Sequence, residues 1–217
     1  NVNTTGFKKD RAVFEDLLYQ NIVPAGGQVD AESETPTGLM LGTGTRVVAT
    51  EKLHAQGNII TTENALDLAI SGDGYFSVQQ ADGTIAYSRD GSFKLSADGN
   101  LATAGGQAVL PAITVPQNAA SLTIGRDGIV TVELANGGGS SQIGQLQLSR
   151  FVNNSGLQPI GRNLMQQTNA SGDPLVVLPG TDGAGMLMQG ALEASNVNVV
   201  EEMVNMIETQ RAYEVNS

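Results

Sequence analysis

The chain has no cysteine, no tryptophan and a single histidine, His54, and aromatic side chains make up only 4% of its 217 residues. Without cysteine there can be no disulfide, no thiolate zinc site and no thiol nucleophile. A Ser-His-Asp hydrolase would have to use His54, and no G-x-S-x-G accompanies it; His54 is expected instead as a polar residue near the end of a strand. P-loop and H-E-x-x-H sequences are also missing, and "GTGTRVVATE" lacks the strand–helix setting of a dinucleotide loop. Carboxylates are plentiful, but a glycosidase without aromatic platforms for sugar stacking is disfavoured. Basic residues are scarce too, 11 against 22 acids, for a net charge of −11 spread along the chain. Such a surface repels phosphate backbones and anionic lipid, so neither nucleic acid nor a membrane surface is an expected partner. No run of about 20 apolar residues exists to span a bilayer. The reading is a non-enzyme with no catalytic, cofactor-binding or metal-binding residues and no cofactor.

What the chain does have is glycine, 27 residues of it, and short alternating runs. "YFSVQQ", "TIAYS", "SFKLS" and "NLAT" alternate apolar and polar positions, as half-buried strands do. Between residues 72 and 101 four Asp-Gly pairs recur, Asp73-Gly74, Asp82-Gly83, Asp90-Gly91 and Asp98-Gly99, at gaps of nine, eight and eight residues. A calcium loop gathers its oxygen ligands at alternate positions within a dozen residues. These pairs are a whole strand apart, which suits hairpin turns, because Asp and Gly tolerate the positive φ of the primed types. Asp127-Gly128 repeats the plan inside "SLTIGRDGIVTVEL", and "QIGQLQLSRF" and "MLMQGALEAS" are further alternating runs. "PAGGQVDAESETPTG", 24–38, reads as the tip of a long hairpin or extended arm, with a disordered surface loop as the alternative from pattern alone. "ANGGGSSQ" reads as a turn and 169–185 as an irregular excursion.

From "SNVNVVEEMVNMIETQRAYEVNS" the period changes from two to 3.6, with Asn196 or Asn198 placed to cap and Glu201 and Glu202 in the first turn. At 100° per residue Val200, Met203, Val204 and Ile207 cluster, while Glu201, Asn205 and Glu208 lie opposite. Val199, Met206 and Tyr213 widen the apolar arc to about 200°, roughly double that of an ordinary surface helix. Such a helix needs cover on two sides, from other subunits or from sequence outside this chain, or else lies on its own domain. The chain opens on Asn1 rather than Met, as expected of a fragment whose native N-terminus and any targeting signal lie elsewhere.

Several stretches together resemble the rod–hook axial proteins of the bacterial flagellum, nearest their distal-rod branch. They are "NVNTTGFKK" (1–9), "RAVFEDLLYQ" (11–20), "GDGYF" (72–76), "YSRDGSF" (87–93), "PAITVP" (111–116), "TIGRDGIVTV" (123–132), "SNVNVVEEMVNMI" (195–207) and "QRAYEVNS" (210–217). The resemblance implies an elongated, mainly β, antiparallel domain of short hairpins with an extended β arm and a C-terminal helix segment, the terminal coiled-coil helices being truncated. The expected divisions are 1–38 for connector and arm, 39–194 for the β-rich rod domain and 195–217 for the start of the core helix. Candidate subunit-interface residues are Phe7, Phe14, Leu17, Leu18, Tyr19, Val200, Met203, Val204, Ile207, Gln210 and Tyr213.

By the same resemblance the complete protein assembles helically with itself, meets proximal-rod proteins, the hook protein and the P/L-ring bushing, and transmits torque from motor to hook. The arm, 20–46, would brace neighbouring subunits. The fragment alone would be monomeric. Export by the flagellar type III route and a place in the basal body, from periplasm to outer membrane, follow in the same way. A proximal-rod or hook paralogue is the alternative within the family. From a different class, a secreted calcium-stabilised adhesin or fibre-like β domain is the other alternative.

Overall fold

A computed structural model describes residues 2–23, 28–30, 33–34, 39–135 and 139–216, without the side chains of 19–42 and 216. It divides into two units, residues 10–53 and residues 1–9 with 54–217.

The first unit is a set of nested antiparallel pairs. β1 (Asp10–Asp16) and β2 (Tyr19–Val23) run out, β3 (Gln28–Asp30) and β4 (Ser33–Glu34) follow, and β5 (Leu39–Gly42) and β6 (Thr45–Lys52) return. β1 pairs with β6, β2 with β5 and β3 with β4, the order of one long hairpin. Most of the expected tip, 24–38, lies outside the described residues. The β1–β6 ribbon is exposed along nearly its whole length. Cross-strand ion pairs hold it where burial cannot: Arg11–Glu51 at 3.0 Å, Lys52–Asp10 at 2.8 Å, and Arg46–Glu15.

The second unit is a β body. It begins with β7 (Ile59–Thr61), β8 (Leu68–Ser71), β9 (Phe76–Gln79), β10 (Ile85–Ser88), β11 (Phe93–Leu95), β12 (Leu101–Thr103) and β13 (Ala108–Leu110). β14 (Ala119–Ile124), β15 (Ile129–Leu134), β16 (Ser140–Gln145) and β17 (Leu148–Arg150) continue it. β18 (Gln158–Gly161), β19 (Leu164–Gln166), β20 (Leu175–Val177), β21 (Met186–Gln189) and β22 (Ala191–Glu193) complete the strands, and the helix α1 (Val199–Asn216) ends the chain. The largest sheet has seven strands in the order β11-β12-β13-β9-β10-β19-β18, and β14-β15-β16 forms a three-stranded sheet. Every registered pair in the body is antiparallel. This is the mainly β, hairpin-built fold that the alternating runs imply.

The inward parity of these strands supplies one core. Leu68, Ile70, Phe76, Val78, Phe93 and Val109 are buried together, with Phe76 and Phe93 packed edge to face at 5.0 Å. A satellite cluster joins Tyr75, Tyr87, Phe151, Leu157 and Met165.

Two of the alternating runs are each divided between two strands. "QIGQLQLSRF" breaks between β16 and β17, where Leu146 donates its N–H to Gly128 O instead of to a ladder partner. "MLMQGALEAS" breaks at Gly190, whose φ of +73 no continuous strand accommodates. The two halves then pair with different strands, β21 with β8 and β22 with β7.

Candidate functional site: the junction of the two ends of the chain

Residues 4–9 lie against β22 and the segment that leads into α1. Gly6 N–H donates to Glu193 O at 2.8 Å, and Asn196 N–H donates to Phe7 O at 3.3 Å. Lys9 N–H donates to Asn196 Oδ1 at 2.7 Å, while Asn196 Nδ2 reaches Ala55 O at 3.1 Å. Thr5 Oγ1 donates to Asp90 Oδ1 at 2.9 Å, and Asn163 Nδ2 to Thr5 O at 2.9 Å. Gly6 is buried with a φ of +65, and a Cβ there would stand 2.7 Å from Asp90 N, so only glycine fits under the Arg89–Asp90 backbone.

At the centre is a buried ionic cluster. Lys8, Arg89 and Glu193 are 2, 5 and 1% exposed. Glu193 Oε1 accepts from Lys8 Nζ at 2.6 Å and from Gly57 N–H at 2.9 Å. Its Oε2 accepts from Arg89 Nε at 2.8 Å and lies 2.7 Å from Nη2. Arg89 spends its remaining donors on Gly72 O, Gly74 O and Ile70 O. Burial pushes the Lys8 ammonium below the ordinary lysine range, the Glu193 bond and charge pulling part of the way back.

The helix begins just beyond. Asn198, one of the two residues placed to cap it, accepts from Val200 N–H at 3.1 Å. Asn196, the other, serves the junction instead. Glu201 and Glu202 sit in the first turn, where the helix dipole favours them, and both face Lys9, Glu201 at 3.5 Å. The carboxylates of Glu201 and Glu202 hold the Lys9 ammonium above its usual value, the Glu202 hydrogen bond first among the causes.

The remaining sequence-marked residues are placed as follows. Val200, Met203, Val204, Ile207, Gln210 and Tyr213 are exposed on α1, and Phe14 and Leu18 are exposed in the first unit. Phe7 and Leu17 are half-buried, and the side chain of Tyr19 lies outside those described. Asp82-Gly83 lies between β9 and β10, Asp98-Gly99 between β11 and β12, and Asp127-Gly128 between β14 and β15, strands that pair with each other. Asp73-Gly74 and Asp90-Gly91 connect strands that pair elsewhere, β8 with β21 and β11 with β12. Asp82, Asp90 and Asp127 each turn Oδ1 onto a backbone N–H two residues on, at Thr84, Ser92 and Ile129. These carboxylates brace turns. Among the described residues no three acidic or imidazole side chains converge as a metal site would require.

A polar cavity of about 300 Å³ is lined by His54, Gln56, Asp73, Tyr75 and Arg89. Tyr75 Oη meets His54 Nδ1 at 2.8 Å, Gln56 is tied to Ile70 O and Gly72 N–H, and every Arg89 donor has a protein acceptor. The Gln56 and Arg89 groups serve the body.

Lys8, Arg89 and Glu193 were not marked in the sequence. Lys8 and Arg89 do fall within "NVNTTGFKK" and "YSRDGSF".

Comparison with known proteins gives this geometry a context. Residues 69–132 match the flagellar hook protein FlgE/F/G D1 domain, and residues 188–217 match the C-terminal domain of flagellar basal body rod FlgEFG proteins. The flagellar basal-body rod protein FlgG of Buchnera aphidicola is 53% identical over the whole chain and 84% of its own length. In Caulobacter vibrioides the FlgG protein is 44% identical over the whole chain and 83% of its length, against 35% for the FlgF protein of the same organism. The chain belongs to the FlgG family of flagellar basal-body rod proteins.

Proposed function

We propose that this chain belongs to a distal-rod subunit, which assembles helically with copies of itself into the drive shaft between motor and hook. Support comes from one feature of the body. α1 exposes Val200, Met203, Val204 and Ile207, and it is exposed along almost its entire described length. An 18-residue helix with so much apolar surface in water gains by packing against other helices. Repeated head-to-tail packing whose rotation does not close builds a helical tube rather than a ring. The role is mechanical, with load passing from the helix layer into the β body through the junction. Proximal-rod proteins, the hook protein and the P/L-ring bushing are its proposed neighbours, and the flagellar type III route its means of export.

None of these 217 residues is a cysteine, so the chain itself adds no competing thiol to a cross-linking test. A single cysteine at Gln210 in the gene product that carries this chain, followed by oxidation of purified basal bodies, is expected to give disulfide-linked dimers of it in the rod fraction. Recovery of the protein only from the culture medium would falsify the assignment.

A further inference from the structure

The buried cluster at the junction holds two cations and one anion, and its members are not equivalent. Arg89, Glu193 and Gly57 all belong to the body and form a closed set. The guanidinium donates to Glu193 and to the carbonyls of Ile70, Gly72 and Gly74, and Gly57 N–H completes the carboxylate. Lys8 is the added member. Among the described residues its ammonium finds two acceptors, Ala55 O and Glu193 Oε1, for three N–H donors, and it is almost fully removed from water. Residues 4–9 bring no large apolar side chain to the buried core. Phe7, the one large apolar side chain of the segment, is only half-buried, and few buried apolar contacts mark a segment of low local stability.

We propose that residues 4–9 are a docked strap that opens separately from unfolding of the body, and that the second buried cation, Lys8, sets how readily it opens. Closed, the strap holds Phe7 and Lys9 against Asn196 and against the first turn of α1; open, it frees the N-terminal side of the chain from the helix root. The body loses nothing essential on opening, because Arg89 and Glu193 neutralise each other without Lys8. This inference stands on the geometry of the chain and is independent of its place in the rod.

Residue-resolved amide exchange on the 217-residue chain tests it. The reporters are the amides of Gly6 and Lys9, bonded to Glu193 O and Asn196 Oδ1; Tyr75 and Leu146, bonded to Ser149 O and Gly128 O, report on the body. Gly6 and Lys9 are expected to exchange together and faster than Tyr75 and Leu146. Lys8→Met removes the extra buried charge and is expected to slow both strap amides about tenfold. Glu193→Gln leaves two cations without their anion and is expected to speed them by about a hundredfold or more. Exchange of Gly6 and Lys9 only in step with Tyr75 and Leu146 would show that there is no separate strap. Faster strap exchange in Lys8→Met would show that Lys8 secures the strap rather than loosening it; either result overturns the proposal, and neither depends on Glu193→Gln folding.

Discussion

Lys8 and Glu193 are 185 positions apart in the chain and 2.6 Å apart in the fold. The carboxylate also receives Arg89, so one buried anion near the end of the sequence serves two cations, one from its start and one from its middle. Removing the anion strands both. Glu193→Gln is therefore expected to lower the unfolding free energy by about 3–5 kcal/mol. Removing one cation leaves a neutral Arg89–Glu193 pair, and Lys8→Met is expected to fall within about 1 kcal/mol of the parent or above it. Urea denaturation of the two variants checks the asymmetry; equal losses would mean that Lys8 is as necessary as its partner.

Two glycines from look-alike pairs carry opposite expectations. Gly83, in the β9–β10 turn, has a φ of +85 and open space where a Cβ would point. Gly83→Ala then costs only the left-handed backbone, about 1–2 kcal/mol. Gly91 has an ordinary φ, but a Cβ would stand 1.7 Å from Leu68 O, whose own N–H is bonded to Gly91 O at 3.0 Å. Gly91→Ala must push β8 off the core and is expected to cost more than about 4 kcal/mol or to prevent folding. Thermal melts of the pair separate a turn glycine from a packing glycine.

The same contrast shows what the sequence could and could not carry. Asp82-Gly83, Asp98-Gly99 and Asp127-Gly128 sit between strands of matched alternation, and local chemistry suffices to turn the chain there. Asp73-Gly74 and Asp90-Gly91 look identical locally, yet their flanking strands pair 115 or so positions away, for β8, or skip to the next hairpin, for β11. The helix was legible because its period and its capping residues are local. Glu193 was not, since β22 buries Ala191 and Glu193 while Leu192 is only half-buried. Apolar-in, polar-out alternation assigns that strand the other way round. A carboxylate is tolerated on the inner face only because Lys8 and Arg89 meet it, and nothing within a strand's length of Glu193 announces either.

Alkaline pH probes the buried groups with two opposing signs. Burial holds the Lys8 proton less firmly in the folded chain than its ordinary value of 10.5 implies, so unfolding takes up a proton in that window. Stability then rises as pH climbs through the lowered Lys8 value toward 10.5. Burial pushes the hydroxyls of Tyr75 and Tyr87 above 10.0. There unfolding releases protons, and stability falls as pH passes 10. Urea midpoints from pH 7 to 11 are expected to rise and then fall. Lys8→Met should abolish the rise and keep the fall; a rise that persists in that variant would assign it to another group.

Ile207 tests the helix itself. It stands in the apolar arc of α1 with Val200, Met203 and Val204, and half of its surface is open to water. A charge at this position meets solvent in the isolated chain, so Ile207→Asp should leave the unfolding free energy of the 217 residues within the small range of ordinary surface changes, about 0.5 kcal/mol. In an assembled rod the same position lies, on the proposed reading, between packed helices, and each copy would bury an unpaired carboxylate at a cost of several kcal/mol. That penalty recurs at every subunit, so assembly should fail outright rather than weaken. Electron microscopy of basal bodies from cells carrying the substitution is expected to show truncated or missing rods and cells that do not swim. Rods of normal length around an intact β body would remove α1 from the subunit interface and leave its exposed apolar face to some other partner.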